Sequence, residues 1–507
     1  MTTNPHEDVT VAKVPDERDV GAIELEDPEA NQLAPIDPNE ERKAVRKLDY
    51  VIMPLMALVY FLQYLDKQSI NQAAIFGLRK DLALKGEDFS WAVSLFYLGQ
   101  FCSEYPAVYL LSRLPITIYV GATIVIWGGV NMAMAACHNF HGLAAARFFL
   151  GFAEGTVSPA FIIITSNWYI KREHPIRVAT WVSMNGVAQI LGSLLMYGIG
   201  QTNMVIAPWR VLFLVCGGLT IGAGMLFIIL MPRSPSTAWF LSEKEKAIVI
   251  QRLASDRGSG ERTEFNKGQL REALMAPMTW LFMLMACCIT LTTPIMKFSA
   301  TVVNGFGYST LQTMLVAMPA GACNTGTVWI GALVPRFFPG TRAYSAIALC
   351  VVPLLGAVLL LALPQDAGWG IIVATWLAGC SSALIGSSAS IIASNVKGNT
   401  KKSVVSAGFF ISYCVGCFAS PFAWQAEDGP RFSKGCILSI VSLIVLMISY
   451  ATFIVMAKTK NKRRDAKLAA GMVAYGAGDD DHKTSGVTSP LDSDMTDVQD
   501  KRFRYTI

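Results

Sequence analysis

Stretches of about twenty apolar residues recur along almost the whole chain, and no other feature restricts the fold so severely. A helix needs roughly 20 such residues to cross a hydrocarbon core of about 30 Å. The stretches lie near 50–74, 89–112, 115–137, 143–168, 178–200 and 209–231, and again near 278–304, 310–335, 342–363, 368–394, 404–425 and 434–457. Lipid offers no partners to backbone N–H and C=O groups, so each stretch must satisfy its own as a helix. The spacing predicts an all-α integral membrane protein of about 12 transmembrane helices. Composition agrees: charged residues make up 16% of the chain, against about 25% in soluble domains.

The longest internal polar stretch, 232–276, divides the spans into two sets of six. We expect two six-helix bundles, 49–231 and 277–458, joined by a cytoplasmic linker over 232–276. Residues 1–48 and 459–507 read as disordered cytoplasmic tails, low in hydrophobicity and enriched in Asp, Ser, Gly and Pro. The first 45 or so residues lack an apolar core of the signal-peptide kind, so the first span is expected to act as its own insertion signal.

Lys and Arg in short loops set orientation. Arg42, Lys43, Arg46, Lys47, Lys171, Arg172, Arg177, Arg336, Arg342, Lys397, Lys401, Lys402 and the run Lys458 to Arg464 all fall on one side, which is read as cytoplasmic. The exceptions are Arg79, Lys80 and Lys85, beside acids, and Arg431 with Lys434. The net charge of +5 is thereby a matter of membrane orientation, and no nucleic-acid partner is expected. Cysteines sit mostly inside the spans. Cys414 and Cys417, in an apolar helix without ligand neighbours, read as inert thiols and not as a metal site.

Ionisable residues at bilayer depth are costly and mark candidate pathways. Asp66 and Lys67 lie in span 1 (YFLQYLDKQSINQAA), Glu104 in span 2 (GQFCSEYPAVYLL), Arg147 and Glu154 in span 4 (AARFFLGFAEGTVSPAF) and Lys297 in span 7 (TTPIMKFSATVV). Arg147 and Glu154 are two turns apart on one helix face, roughly 10 Å along the axis. Asp66 and Arg147 fall at similar depth, which predicts that they pair, with Glu154 nearer the midplane as the proton-carrying carboxylate. The plainer alternative is a set of structural ion pairs pinning helices, and for Glu104 structure and function weigh equally. Lys67 and Lys297, one from each half, are the anion-binding candidates; for Lys297 the alternative is snorkelling to the outer surface. Tyr64, Asn185, Gln189 and Tyr413 are candidate orienting contacts, beside Gln63, Asn71 and Asn324, although such residues often only bridge helices.

Several segments resemble a known family. YFLQYLDKQSINQAAIFGL and RFFLGFAEGTVSPAF are similar to the first- and fourth-helix motifs of the anion:cation symporter family within the major facilitator superfamily. PWRVLFLVCGGLTI, MPRSPSTAWFLSEKEK, NGFGYSTLQTMLVAMPAGA and ASNVKGNTKKS resemble its later segments, and DMTDVQDKRFRYTI resembles the ending of the fungal allantoate permease branch. The similarity runs from about Asp49 to the C-terminus. It implies a major facilitator fold and proton-coupled uptake of carboxylates or ureido acids of the allantoate, pantothenate or nicotinate type. Asp66, Arg147 and Glu154 match the family's coupling positions, Lys67 its cationic substrate contact and Gln189 roughly its polar fifth-helix contact. Lys297 departs from the pattern, and the loop after span 2 is reduced to SRLPITIY.

The expected function is a proton-coupled symporter importing a small organic anion by alternating access. Its expected partners are that anion, protons and the bilayer, and it is expected to be a monomer in the plasma membrane. An uncoupled facilitator or exporter, or a membrane nutrient sensor, stays open. No P-loop, HExxH or His cluster is present, so neither an enzyme nor a cofactor is expected.

Overall fold

The computed structural model describes residues 37–170, 172–202, 204–257, 266–295, 302–304, 307–364, 367–424, 428, 432–469, 495–500 and 503–507. Among them there is no strand. The first half comprises α1 (Pro38–Asp81), α2 (Asp88–Arg113), α3 (Ile116–Met134), α4 (Phe140–Trp168), α5 (His174–Gly200) and α6 (Pro208–Leu230). Two linker helices follow, α7 (Glu243–Arg257) and α8 (Lys267–Met275). The second half comprises α9 (Pro277–Leu291), α10 (Thr310–Phe337), α11 (Arg342–Ala362), α12 (Trp369–Asn395), α13 (Asn399–Ala423) and α14 (Ser433–Ala469).

Nine of the described helices are long and apolar enough to span alone, and the pair α8–α9, bent by 66°, is a tenth. The remaining two, α2 and α10, carry more polar residues: Ser90, Ser94, Gln100 and Glu104 on one, Gln312, Asn324 and Thr325 on the other. Helix ends are set locally. Asp37 and Asn139 cap α1 and α4 by accepting from Asn39 and Gly142 N–H groups, and Ser309 with Gln312 forms a capping box on α10. α1 closes with a π-turn over Ala74–Leu78 that requires Gly77 at φ 97°.

Close approach of backbones holds these helices, as expected where lipid supplies no hydrophobic force between them. α2 lies so near α4 that a Cβ on Gly151 would stand 1.9 Å from the Phe96 carbonyl oxygen. The halves meet the same way at α5–α10, where a Cβ on Gly186 would be 2.2 Å from the Gly321 carbonyl. They meet a second time at α2–α13. There Ser94 Oγ donates to the Phe418 carbonyl at 2.8 Å, Ser90 Oγ donates to that of Pro421 at 3.2 Å, and Trp91 packs edge-on against Phe418 and Phe422.

At the end of the bundle where the linker lies, each half holds part of it. Arg252 of α7 bridges Glu41, at 2.7 Å, and Glu173, while Glu245 meets Lys47 at 2.8 Å. Glu272 of α8 meets Lys401 at the start of α13, also at 2.7 Å. All eleven cysteines are free thiols.

Two expectations of disorder are corrected. Residues 38–48 form the first turns of α1, because Ala44 and Leu48 are fully buried under the linker contacts. At the other end, α14 continues to Ala469, and residues 495–500 and 503–507 dock beneath the second half. Asp497 accepts from Lys401 Nζ at 2.6 Å and from the Tyr505 hydroxyl at 2.7 Å. Asn395 exchanges hydrogen bonds with the Thr506 backbone in both directions. Burial, and then the bond to Asp497, push the Tyr505 phenol well above its ordinary range, so it stays a neutral donor. The polar composition of 459–507 averaged these few anchors away; residues 470–494 lie outside the described ones.

Two outcomes follow from this packing. Gly151→Val is expected to abolish the folded monodisperse peak in fluorescence-detected size exclusion, whereas Gly129→Ala, where the space is open, leaves it unchanged. Asp497→Asn is expected to cost about 1–3 kcal/mol and to lower the melting temperature in detergent by a few degrees.

Candidate functional site

Asp66 and Lys67 are neighbours on α1, so their side chains leave the helix about 100° apart. They consequently reach different helices. Asp66 is fully buried and turns toward α3 and α6. Its Oδ2 accepts from Trp127 Nε1 at 2.7 Å and Thr220 Oγ1 at 2.8 Å, and its Oδ1 accepts from Asn131 Nδ2 at 2.7 Å. Lys67 turns toward α4, where its Nζ lies 3.0 Å from Glu154 Oε1. Glu154 is fully buried, while the Lys67 side chain retains 18% exposure. The carboxylate is thus sealed in protein, whereas the lysine side chain is not fully enclosed.

The expected pairing of Asp66 with Arg147 is not made. Three neutral donors already satisfy Asp66, and Arg147 donates its Nε to the Ala92 carbonyl on α2 at 3.3 Å. Its guanidinium lies 5.0 Å from the Phe96 ring centre, and Lys67 Nζ lies 5.3 Å from the same ring. Arg147 Nη1 is buried without a hydrogen-bond partner. Arg147 nevertheless stays within electrostatic reach of Glu154 and Asp66, so with Lys67 the four charges form one cluster around α1 and α4.

The other candidates surround this cluster unevenly. Tyr64 accepts from Gln68 at 2.9 Å, and Gln68 accepts from Asn71 at 2.7 Å, a polar chain along α1. Tyr413 on α13 stacks on Phe410 and comes within range of Tyr97 and Tyr60, which brings the second half to the cluster. Asn185 and Gln189 share a face of half-buried α5, and Asn185 Oδ1 and Gln189 Oε1 have no partner. Lys297 lies outside the described residues. Among the described residues no three His, Cys, Asp or Glu side chains gather as metal ligands would.

Sequence reasoning missed Phe96, Tyr97, Trp127, Asn131 and Thr220. Asn131 offered a signal, a lone amide inside the apolar third span. The aromatic residues offered none, since their types are ordinary in any span.

Residues 56–421 match the model of the Major Facilitator Superfamily. The chain belongs to that superfamily. It is 33% identical to an uncharacterized transporter of Schizosaccharomyces pombe over 469 residues, covering 92% of this chain and 87% of the relative. It is 32% identical to the allantoate permease of Saccharomyces cerevisiae over 489 residues, covering 93% and 88%. The structure of a D-xylose–proton symporter shares the fold, with a TM-score of 0.58 and 12% identity over 78% of this chain and 96% of that one. These likenesses bear out the resemblance to the allantoate permease branch and the all-helical major facilitator fold. The protein is a multi-pass membrane transporter of that type.

Breaking a buried ion pair from one side leaves an uncompensated charge, whereas removing both partners does not. Lys67→Met is therefore expected to lower the melting temperature in detergent more than the double variant Lys67→Met/Glu154→Gln. Equal or additive losses would show that the pair is not coupled.

Proposed function

We propose that this transporter imports a small organic anion together with protons by alternating access. The observation that carries the reading is the Lys67–Glu154 pair, in which a buried carboxylate neutralises a partly exposed ammonium. A cargo carboxylate arriving at Lys67 competes with Glu154 for the same charge. A proton on Glu154 removes that competitor and frees Lys67 for the cargo. The attraction between ammonium and cargo strengthens as water leaves the site. Acid outside then drives uptake, because protonation precedes anion binding and the two leave together where the pH is higher.

Arg147 and Asp66 act beside this exchange in the proposal. Arg147 holds positive potential near Glu154, and Asp66 anchors the segment of α1 that carries Lys67. Tyr64, Asn185, Gln189 and Tyr413 orient the cargo. Two compact contacts between the halves, at α5–α10 and α2–α13, support rigid-body rocking. The likeness to an allantoate permease supports a carboxylate or ureido acid as cargo and the plasma membrane as location.

The decisive measurement is uptake of a radiolabelled panel of small carboxylates and ureides at acid and neutral outside pH. Wild type is expected to accumulate at least one of them only under the pH gradient. Glu154→Gln is expected to abolish that accumulation, and Lys67→Ala to raise the cargo KM at least about tenfold. Undiminished proton-driven uptake in Glu154→Gln removes Glu154 from the mechanism. Uptake indifferent to pH points to a facilitator, and binding without flux to a sensor.

A further inference from the structure

One charged side chain of the interior takes no part in the pairing just described. Glu104 lies on α2, its Oε2 is buried without a hydrogen-bond partner, and no ion pair is made to it among the described residues. Its direction follows from the contacts of its own helix. Phe96, Gly99 and Ser103 face α4, since the close approaches of Gly151, Gly99 and Gly155 are to these positions or from them. Ser90 and Ser94 face α13 of the other half. At about 100° per residue, Glu104 falls in the sector between those two neighbours, on the same face as Tyr97 and two turns along the helix. Tyr97 is itself within electrostatic reach of Arg147, Glu154 and Tyr64. The Cys414 thiol on α13 is within such reach of both Lys67 and Glu104. Glu104 therefore borders the space between the halves, near the anion contact but not bonded to it.

An ionised carboxylate accepts hydrogen bonds and donates none. Left bare at low dielectric it is unfavourable, and a second negative charge nearby makes it more so. A cargo that offered only a carboxylate would occupy Lys67 and leave Glu104 exposed to repulsion. A cargo with a carboxylate at one end and an N–H-bearing group at the other satisfies both. An amide NH2 or an ammonium presents paired donors to the two carboxylate oxygens.

We propose that Glu104 is a specificity-determining residue that selects organic anions carrying N–H donors away from their carboxylate. This rests on Lys67 being the anion contact. Failure of that reading shows as an unchanged KM in Lys67→Ala, whereas failure here shows as an unchanged preference in Glu104 variants.

The test is competition, in cells expressing the full chain, against the carboxylate identified as transported. The competitors are succinamate and levulinate, which differ by a primary amide in place of a methyl ketone. Wild type is expected to be inhibited by succinamate at concentrations about tenfold lower than by levulinate, the scale of one hydrogen bond to a charged group. Glu104→Gln is expected to erase the difference while uptake of the plain carboxylate persists. If the Gln variant does not reach the membrane, Glu104→Asp, which withdraws the carboxylate by one methylene, is expected to reduce the preference at least about threefold. The proposal is overturned if wild type shows no preference, including the case in which neither compound competes. It is equally overturned if the preference survives in the Gln variant or is untouched in Glu104→Asp. A Glu104→Gln protein present at normal surface amount that loses every cargo alike would make Glu104 a proton carrier instead.

Discussion

Keeping charge inside a hydrocarbon slab is the constraint on which the rest of the structure depends. An isolated ion at bilayer depth is strongly unfavourable, and it persists only when protein groups replace its water. The interior does this in three ways. Asp66 receives three neutral donors from two other helices. Arg147 receives a backbone carbonyl and an aromatic face. Glu154 receives one cation, Lys67. The first two arrangements are made of fixed groups. The third depends on a flexible side chain that is itself partly exposed.

The same economy governs the contact between halves. One buried core cluster fills the first half and takes in Met314, Leu360, Trp424 and Phe432 of the second, another lies within the second half, and ion pairs join each half to one linker helix or to the tail. Where the halves touch, glycine backbones approach closely, Ser90, Ser94 and Thr325 hydroxyls donate to carbonyls across the contact, and Trp91 packs on Phe418 and Phe422. Such contacts are short-range and separable.

Much of this was legible in the chain because the bilayer imposes a length and a composition on every crossing. Eleven of the twelve apolar stretches coincide with described helix, including α2 and α10, whose polar residues dilute the hydropathy signal; 278–304 does so over Pro277–Leu291. The intramembrane charges were legible one at a time, since each violates the same rule. Their partners were not. Depth along parallel and antiparallel helices suggested Asp66 with Arg147, yet depth says nothing of azimuth. A single residue step on α1 turns one side chain toward α3 and α6 and the next toward α4. The docked tail was missed for a related reason: Asp497, Thr506 and Tyr505 are ordinary polar residues until Lys401 and Asn395, about a hundred positions earlier, are brought against them.

That one-residue step has a mechanical consequence. Asp66 ties α1 to α3 and α6, while Lys67, bonded to the next Cα, ties the same turn to α4 through Glu154. Loosening Lys67 from Glu154 would remove the charged tie between α1 and α4, while the Tyr60–Phe161 contact and the bonds of Asp66 to α3 and α6 stay in place. Gly77 and the π-turn near the C-terminal end of α1 break the regular helix there. The adjacency of an acid and a base in LDK, unremarkable as composition, sends two charged side chains of one turn to different neighbouring helices in this fold.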